Sequence, residues 1–201
     1  MSQGLRERKR QRTHDAISTA AISLFLARGY DEVSVAEIAA AAEVSKPTLF
    51  KYFATKEDLV LHRIADHLGE SARVVMARPA GTTPVEALRH HFLAGLARRE
   101  PVTGLNEVRE VLSYHRMVFE TPALAARVLS YSATEETLLA EALGGDLAAR
   151  LTAGQIVTVQ RILARENWHQ LTMGRTAAEV YPEAVTNAEE GFRQLSRIKP
   201  G

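Results

Sequence analysis

The 201-residue sequence predicts an all-α protein. Three observations point to that class. Apolar residues recur at spacings of three and four through most of the chain, and no run sustains the period-two alternation of a strand. Helix-start signals are frequent: Ser34 with Glu37 three residues on, Ser45 with Pro47, Thr83-Pro84 and Thr121-Pro122. The strongest interruption, Pro79, Gly81, Thr82, Thr83 and Pro84, separates a short N-terminal part from a longer C-terminal part and contains the predicted domain boundary.

Residues 1 to about 8 are expected to be disordered as a free arm. Helix 1 then runs to about Arg28, with Ile17, Ala21, Leu24 and Phe25 as its inner stripe. Gly29 suits the left-handed residue that ends a helix, and Tyr30 is expected to pack back on the core. Ser34 and Glu37 then form a capping box, with Val35, Ile38, Ala39 and Ala42 on one helical face. Glu43-Val44 is the turn, with Val44 an apolar plug. Ser45 caps the next helix, where Pro47 is tolerated because the first amides of a helix have no intrahelical partner. Leu49, Phe50 and Phe53 are expected to supply its apolar contacts. Thr55 caps the following helix with Asp58, and that helix is predicted to run from Lys56 to about Arg78. Its histidines, His62 and His67, are expected to be exposed.

Beyond the boundary, helices are predicted from Thr83-Pro84 to about Arg99, from Gly104 to Phe119 and from Thr121-Pro122 to Leu143. Two more run from a Thr152 cap to about Leu171 and from Tyr181-Pro182 to before Pro200. The first of this last pair is apolar on two sides: Ile156, Val159 and Leu163 on one, Val157, Ala164, Trp168 and Leu171 on the other. The second has a seam of Val185, Ala188, Phe192 and Leu195. Two such helices (about 152–171 and 182–198) can pair with their copies as an isologous four-helix interface, which predicts a homodimer.

Two helices as short as those at Ser34–Ala42 and Ser45–Phe53 are not stable alone. A short–turn–short pair is the geometry of a helix-turn-helix, whose second helix enters the DNA major groove with its N-terminal turn leading. Here that turn holds Ser45, Lys46, Pro47 and Thr48. From Ile17 to Leu59 the chain resembles the DNA-binding domain of the TetR family of transcriptional regulators. The resemblance lies in Phe25 and Gly29-Tyr30, Ser34, Ile38-Ala39, Val44-Ser45, Thr48-Leu49-Phe50, Tyr52-Phe53 and Lys56. Glu43 stands where the family often has Gly, a strain of about 1 kcal/mol if φ there is positive. Phe50 stands where many members have Tyr, so that hydroxyl is absent.

The predicted organisation is therefore a basic arm and helix-turn-helix domain (1–55), a connecting helix (56–80) and a C-terminal helical domain (81–201) for ligand binding and dimerisation. Lys46, Thr48 and Lys51 are candidates for approaching base edges of double-stranded operator DNA. Ser45, Tyr52, Lys56 and Thr13 are candidates at the phosphate backbone, and Ser34 is a further DNA-binding candidate. The resemblance implies a small-molecule ligand in the C-terminal domain and, most often, repression. Among large or amphipathic side chains there, Tyr114, His115, Phe119 and Trp168 are the ligand candidates. The alternatives are a helical ligand-binding or interaction protein without DNA binding, and an activator without a small ligand.

Composition bounds the rest. Hydrophobic content of 46% suffices for a packed core, and the chain has no cysteine, hence no disulfide and no thiolate site. No apolar leader or uninterrupted span of about 18 residues appears, so a cytoplasmic protein is expected. Net charge is only +1, but residues 1–13 carry five basic side chains against one acidic, beside the predicted DNA-binding unit. No motif for a metal, cofactor or catalytic site is present: no GxSxG, no HExxH and no phosphate-cradling glycine loop. His90, His91, His115 and His169 with Glu110 make a poor metal set, because adjacent histidines diverge by about 100° on a helix.

Overall fold

The computed structural model describes residues 2–197, and those residues form ten α-helices and one short 3-10 turn. They divide into two compact units, Met1–Asp66 with Ser113–Val128, and His67–Leu112 with Leu129–Gly201.

The first unit contains α1 (Ser2–Arg28), α2 (Val35–Ala41), α3 (Lys46–Phe50) and α4 (Lys56–Ala65). It also takes in the adjoining ends of α7 (Arg109–Glu120) and α8 (Pro122–Ala142). Ile17, Phe25, Ile38, Leu49, Leu59 and Val118 are among its fully enclosed side chains, and α1 packs on both α2 and α4. The Tyr114 hydroxyl donates to the Val60 carbonyl at 2.8 Å, and Arg127 reaches Asp58 at 3.2 Å. Both contacts tie the segment 113–128 to α4. The first turns of α1 differ from expectation. The arm is helical from Ser2; despite Gly4, the stretch contains Gln, Arg and Glu, which lose little side-chain freedom in a helix.

The second unit contains α5 (Glu70–Met76), α6 (Pro84–Ala97), a 3-10 turn at Pro101–Thr103, α9 (Leu147–Thr172), α10 (Ala177–Arg197) and the remaining parts of α7 and α8. Its core joins Val75, Leu88, Leu96, Leu139, Ile156 and Phe192, with α10 packed on both α6 and α9.

Four element boundaries correct the sequence expectations. The helix predicted over 56–78 is two, because Gly69 takes a left-handed φ of +74° and Glu135 of α8 accepts the amides of Gly69 and Ser71. Residues 104–108 are a loop rather than helix. The Asn106 side chain donates to the Arg99 carbonyl and accepts from the Val108 amide, so it competes with helical bonding there. Helix α9 starts at an Asp146 cap, whose carboxylate accepts from the Ala149 amide at 2.7 Å. Thr152, the expected cap, instead donates to the Ala148 carbonyl inside the helix. Helix α10 starts with a box between Thr176 and Glu179, leaving Pro182 inside the helix. The carbonyl that Pro182 leaves without its helical partner belongs to Ala178, which is exposed and can bond water.

Candidate nucleic-acid interface

The helix-turn-helix is assembled from local caps. Ser34 accepts from the Glu37 amide at 3.2 Å, and the Glu37 carboxylate accepts from the Ser34 amide at 2.8 Å. The Arg28 guanidinium then reaches the same carboxylate at 2.7 Å, tying α2 to the end of α1. The Ser34 amide, and then Arg28, hold the Glu37 pKa down to about 2. The turn places Glu43 at φ +54°, the left-handed geometry anticipated from the sequence. Ser45 accepts from the Thr48 amide at 3.2 Å, and the two hydroxyls lie 2.8 Å apart. Thr55 and Asp58 close a second reciprocal box on α4.

These caps fix which face of α3 points outward. Leu49 is fully buried and Phe53 nearly so, which leaves Lys46, Pro47, Phe50 and Lys51 exposed along the opposite side. Phe50, expected to pack inward, is 42% exposed. It lies a quarter turn past Leu49 and so faces away from the core. That offset was readable from the sequence once Leu49 and Phe53 were assigned inward. Tyr52 is half-buried, and Lys56 stands at the first turn of α4. The Thr13 hydroxyl donates to the Lys9 carbonyl at 3.0 Å, four residues back on α1. All eight residues proposed for DNA lie in the first unit. The arm cations Arg6, Arg8, Lys9, Arg10 and Arg12 are exposed on α1.

His62 is not the exposed residue expected. It is half-buried, 2.6 Å from the Ser18 hydroxyl, and edge-on to Phe53, against which His14 stacks at 4.7 Å. Burial lowers its pKa.

The ligand candidates separate. Tyr114, His115 and Phe119 sit together on α7 in the first unit, with ring centroids 5.9 and 5.8 Å apart, whereas Trp168 is a buried residue of α9 in the second. The Tyr114 hydroxyl is already engaged by Val60. His115 is largely enclosed, its Nδ1 has no hydrogen-bond partner among the described residues, and burial lowers its pKa from 6.5 to about 4. An unfolded imidazole therefore takes up a proton near pH 6.5 that the folded one refuses until about 4. Stability should fall with pH across that window by at most about 3 kcal/mol, and the His115→Gln variant should flatten the loss. Chemical denaturation at several pH values tests this; an unchanged profile in the variant would refute it. Among the described residues no three histidine or acidic side chains are grouped to hold a metal ion.

Residues 17–62 match the family described as bacterial regulatory proteins, tetR family. The chain is also 33% identical over 176 residues to the HTH-type transcriptional regulator TcmR of Streptomyces glaucescens, covering 83% of this chain and 77% of that protein. The chain belongs to the TetR family. Among solved structures, native NalD, the secondary repressor of the MexAB-OprM multidrug efflux pump in Pseudomonas aeruginosa, aligns with a TM-score of 0.60. At 16% identity it covers 90% of this chain and 96% of that one, a likeness of fold. FadR of Thermus thermophilus, a TetR-family repressor solved in complex with lauroyl-CoA, aligns with a TM-score of 0.52. It is 25% identical and covers 94% of this chain and 99% of its own. TetR-family proteins are transcriptional regulators that bind DNA, and the matched relatives are regulators, not enzymes. No helix among the described residues is long and apolar enough to cross a membrane.

Proposed function

We propose that this TetR-family protein is a cytoplasmic, ligand-responsive repressor that binds a palindromic operator as a homodimer and is released by a small molecule. The observation that supports it most is the outward face of α3. Lys46, Pro47, Phe50 and Lys51 are exposed on one side, and the Ser45 and Thr48 hydroxyls stand at the helix start. Lys46, Thr48 and Lys51 then approach base edges, while Ser34, Ser45, Tyr52, Lys56 and Thr13 lie at the phosphates and the arm cations add affinity that salt weakens. In the domain division proposed, residues 1–55 bind DNA, 56–80 connect and 81–201 hold the ligand and the dimer interface.

Of the residues read as the dimer seam, Ile156, Ala188, Phe192 and Leu195 are instead buried in the protomer's own core, because α10 packs on α6 and α9; dimerisation is supported by other residues of α9. Leu151 and Ile162 are 60% and 56% exposed on one helical face, beside half-buried Val159 and Leu163. An apolar stripe of this kind on a helix is ordinarily covered. The Thermus FadR complex supports ligand responsiveness by family analogy; Tyr114, His115 and Phe119, which stand together in the first unit, are one proposed set of contacts, and Trp168, in the second unit, is a separate candidate.

Selection of binding sites from random duplex DNA at physiological salt tests the function. A two-fold-symmetric motif is the expected result. No enrichment by folded, dimeric protein would reject binding by the unliganded protein. A narrower expectation concerns Lys56→Ala, which should weaken binding to every duplex and reduce the slope of log affinity against log salt by about one. An unchanged slope would remove Lys56 from the phosphates.

A further inference from the structure

Lys56 is held in an unusual way for a residue meant to meet phosphate. Its ammonium stands 4.3 Å from the centre of the Tyr30 ring and 5.7 Å from that of Phe25. Neither ring is free to follow it. Tyr30 is 7% exposed and Phe25 1%, and they pack on each other at 5.2 Å. The Tyr30 hydroxyl donates to the Glu57 carboxylate at 2.8 Å, which fastens the ring to the residue beside Lys56 on α4. No carboxylate forms an ion pair with Lys56 among the described residues. A cation above an aromatic face is attracted by the ring quadrupole and keeps its opposite side open.

We infer that Tyr30 is a positioning residue for DNA binding: its ring holds the Lys56 ammonium in place at the start of α4, so that the contact with phosphate forms without first ordering a four-carbon side chain. This rests on the assignment of Lys56 to the phosphate backbone. The physical gain is preorganisation. A free lysine loses rotamer freedom when it binds, whereas one already seated on a buried ring has lost most of it. The same ring keeps the charge at the helix start, where the first-turn amides of α4 also attract an anion. Tyr30 itself does not contact DNA.

A double-mutant cycle on DNA affinity tests the inference. The probes are the selected operator and, at low salt, a mixed-sequence duplex, with thermal melting recorded for each variant. Tyr30→Leu should weaken binding about three- to tenfold when Lys56 is present and have no further effect in the Lys56→Ala background. Tyr30→Phe, which keeps the ring and a foldable core, should lose less than Tyr30→Leu. The salt slope should drop by about one for Lys56→Ala and by less for Tyr30→Leu, which leaves the charge in the protein. Equal losses from Tyr30→Leu in both backgrounds would show that Tyr30 acts through the fold alone and would overturn the inference. So would a Tyr30→Phe variant as weak as Tyr30→Leu. If Lys56→Ala changes neither affinity nor slope, the phosphate assignment itself fails, and the inference with it.

Discussion

Gly104→Ala should leave little folded protein. Gly104 has φ +73°, a region that costs an ordinary residue about 1–2 kcal/mol. Space is the larger obstacle. A Cβ there would stand 1.8 Å from the Ala164 carbonyl oxygen and 2.7 Å from its carbon. Those atoms belong to the backbone of α9, so no side chain can rotate away. The loop cannot lift either. Asn167 donates to the Thr103 carbonyl at 2.9 Å, and Leu105 is fully enclosed in the core. Strain and overlap together should exceed about 4 kcal/mol, a large part of the 5–15 kcal/mol typical of a domain. Gly81→Ala is the matched control: φ is +84°, but the added carbon meets nothing within 4 Å. Denaturant midpoints for both variants check the prediction. A Gly104→Ala protein as stable as the Gly81→Ala protein would refute the close approach of loop and helix.

Ile162→Glu should separate the proposed dimer and, with it, operator binding. Ile162 is 56% exposed in one protomer, so the substitution should barely change that protomer's own fold. In a four-helix interface the same site would bury a carboxylate without a partner, twice over by symmetry. Sedimentation should show monomer. Two linked half-sites bind far more tightly than one, so affinity for a palindromic duplex should fall about 100-fold or more. Affinity for a single half-site should be unchanged. A variant that stays dimeric would place the interface elsewhere.

The parts of this protein that were legible in its sequence are those whose chemistry is local. Ser34 with Glu37 and Thr55 with Asp58 act across three residues and form as read; Ser45 and Thr83 cap helices where the sequence placed helix starts, and the structure adds their partners, Thr48 and Glu86. Positive φ at Glu43 was legible only as a condition, from the Gly that the family often has at that position, and the turn meets it. The helix break at Gly69 was hidden because its cause is distant: Glu135, on another helix, accepts the amides that the break exposes. The start of α9 was misplaced because Thr152 is as good a cap residue as Asp146, and only the hydrogen bonds distinguish them. In the candidate site, charge and hydroxyl positions on α3 followed from helical spacing. The seat of Lys56 did not, because Tyr30 and Phe25 precede it by more than 25 residues. The Tyr114 bond to Val60 is equally remote, and it turns a ligand candidate into a side chain whose hydroxyl is already committed.

The exposed ring of Phe50 gives the outward face of α3 a thermodynamic character of its own. Phosphate contacts lose strength as salt rises, because their driving force is the release of counterions. Covering an aromatic ring releases water instead, a gain that salt does not erode and that leaves a negative heat-capacity change. Any surface that closes over α3 therefore binds with two components. One fades with ionic strength, and the other persists and makes the binding enthalpy grow more favourable with temperature. Calorimetry across a range of salt and temperature would resolve the lysines and the ring as separate contributions to one act of binding.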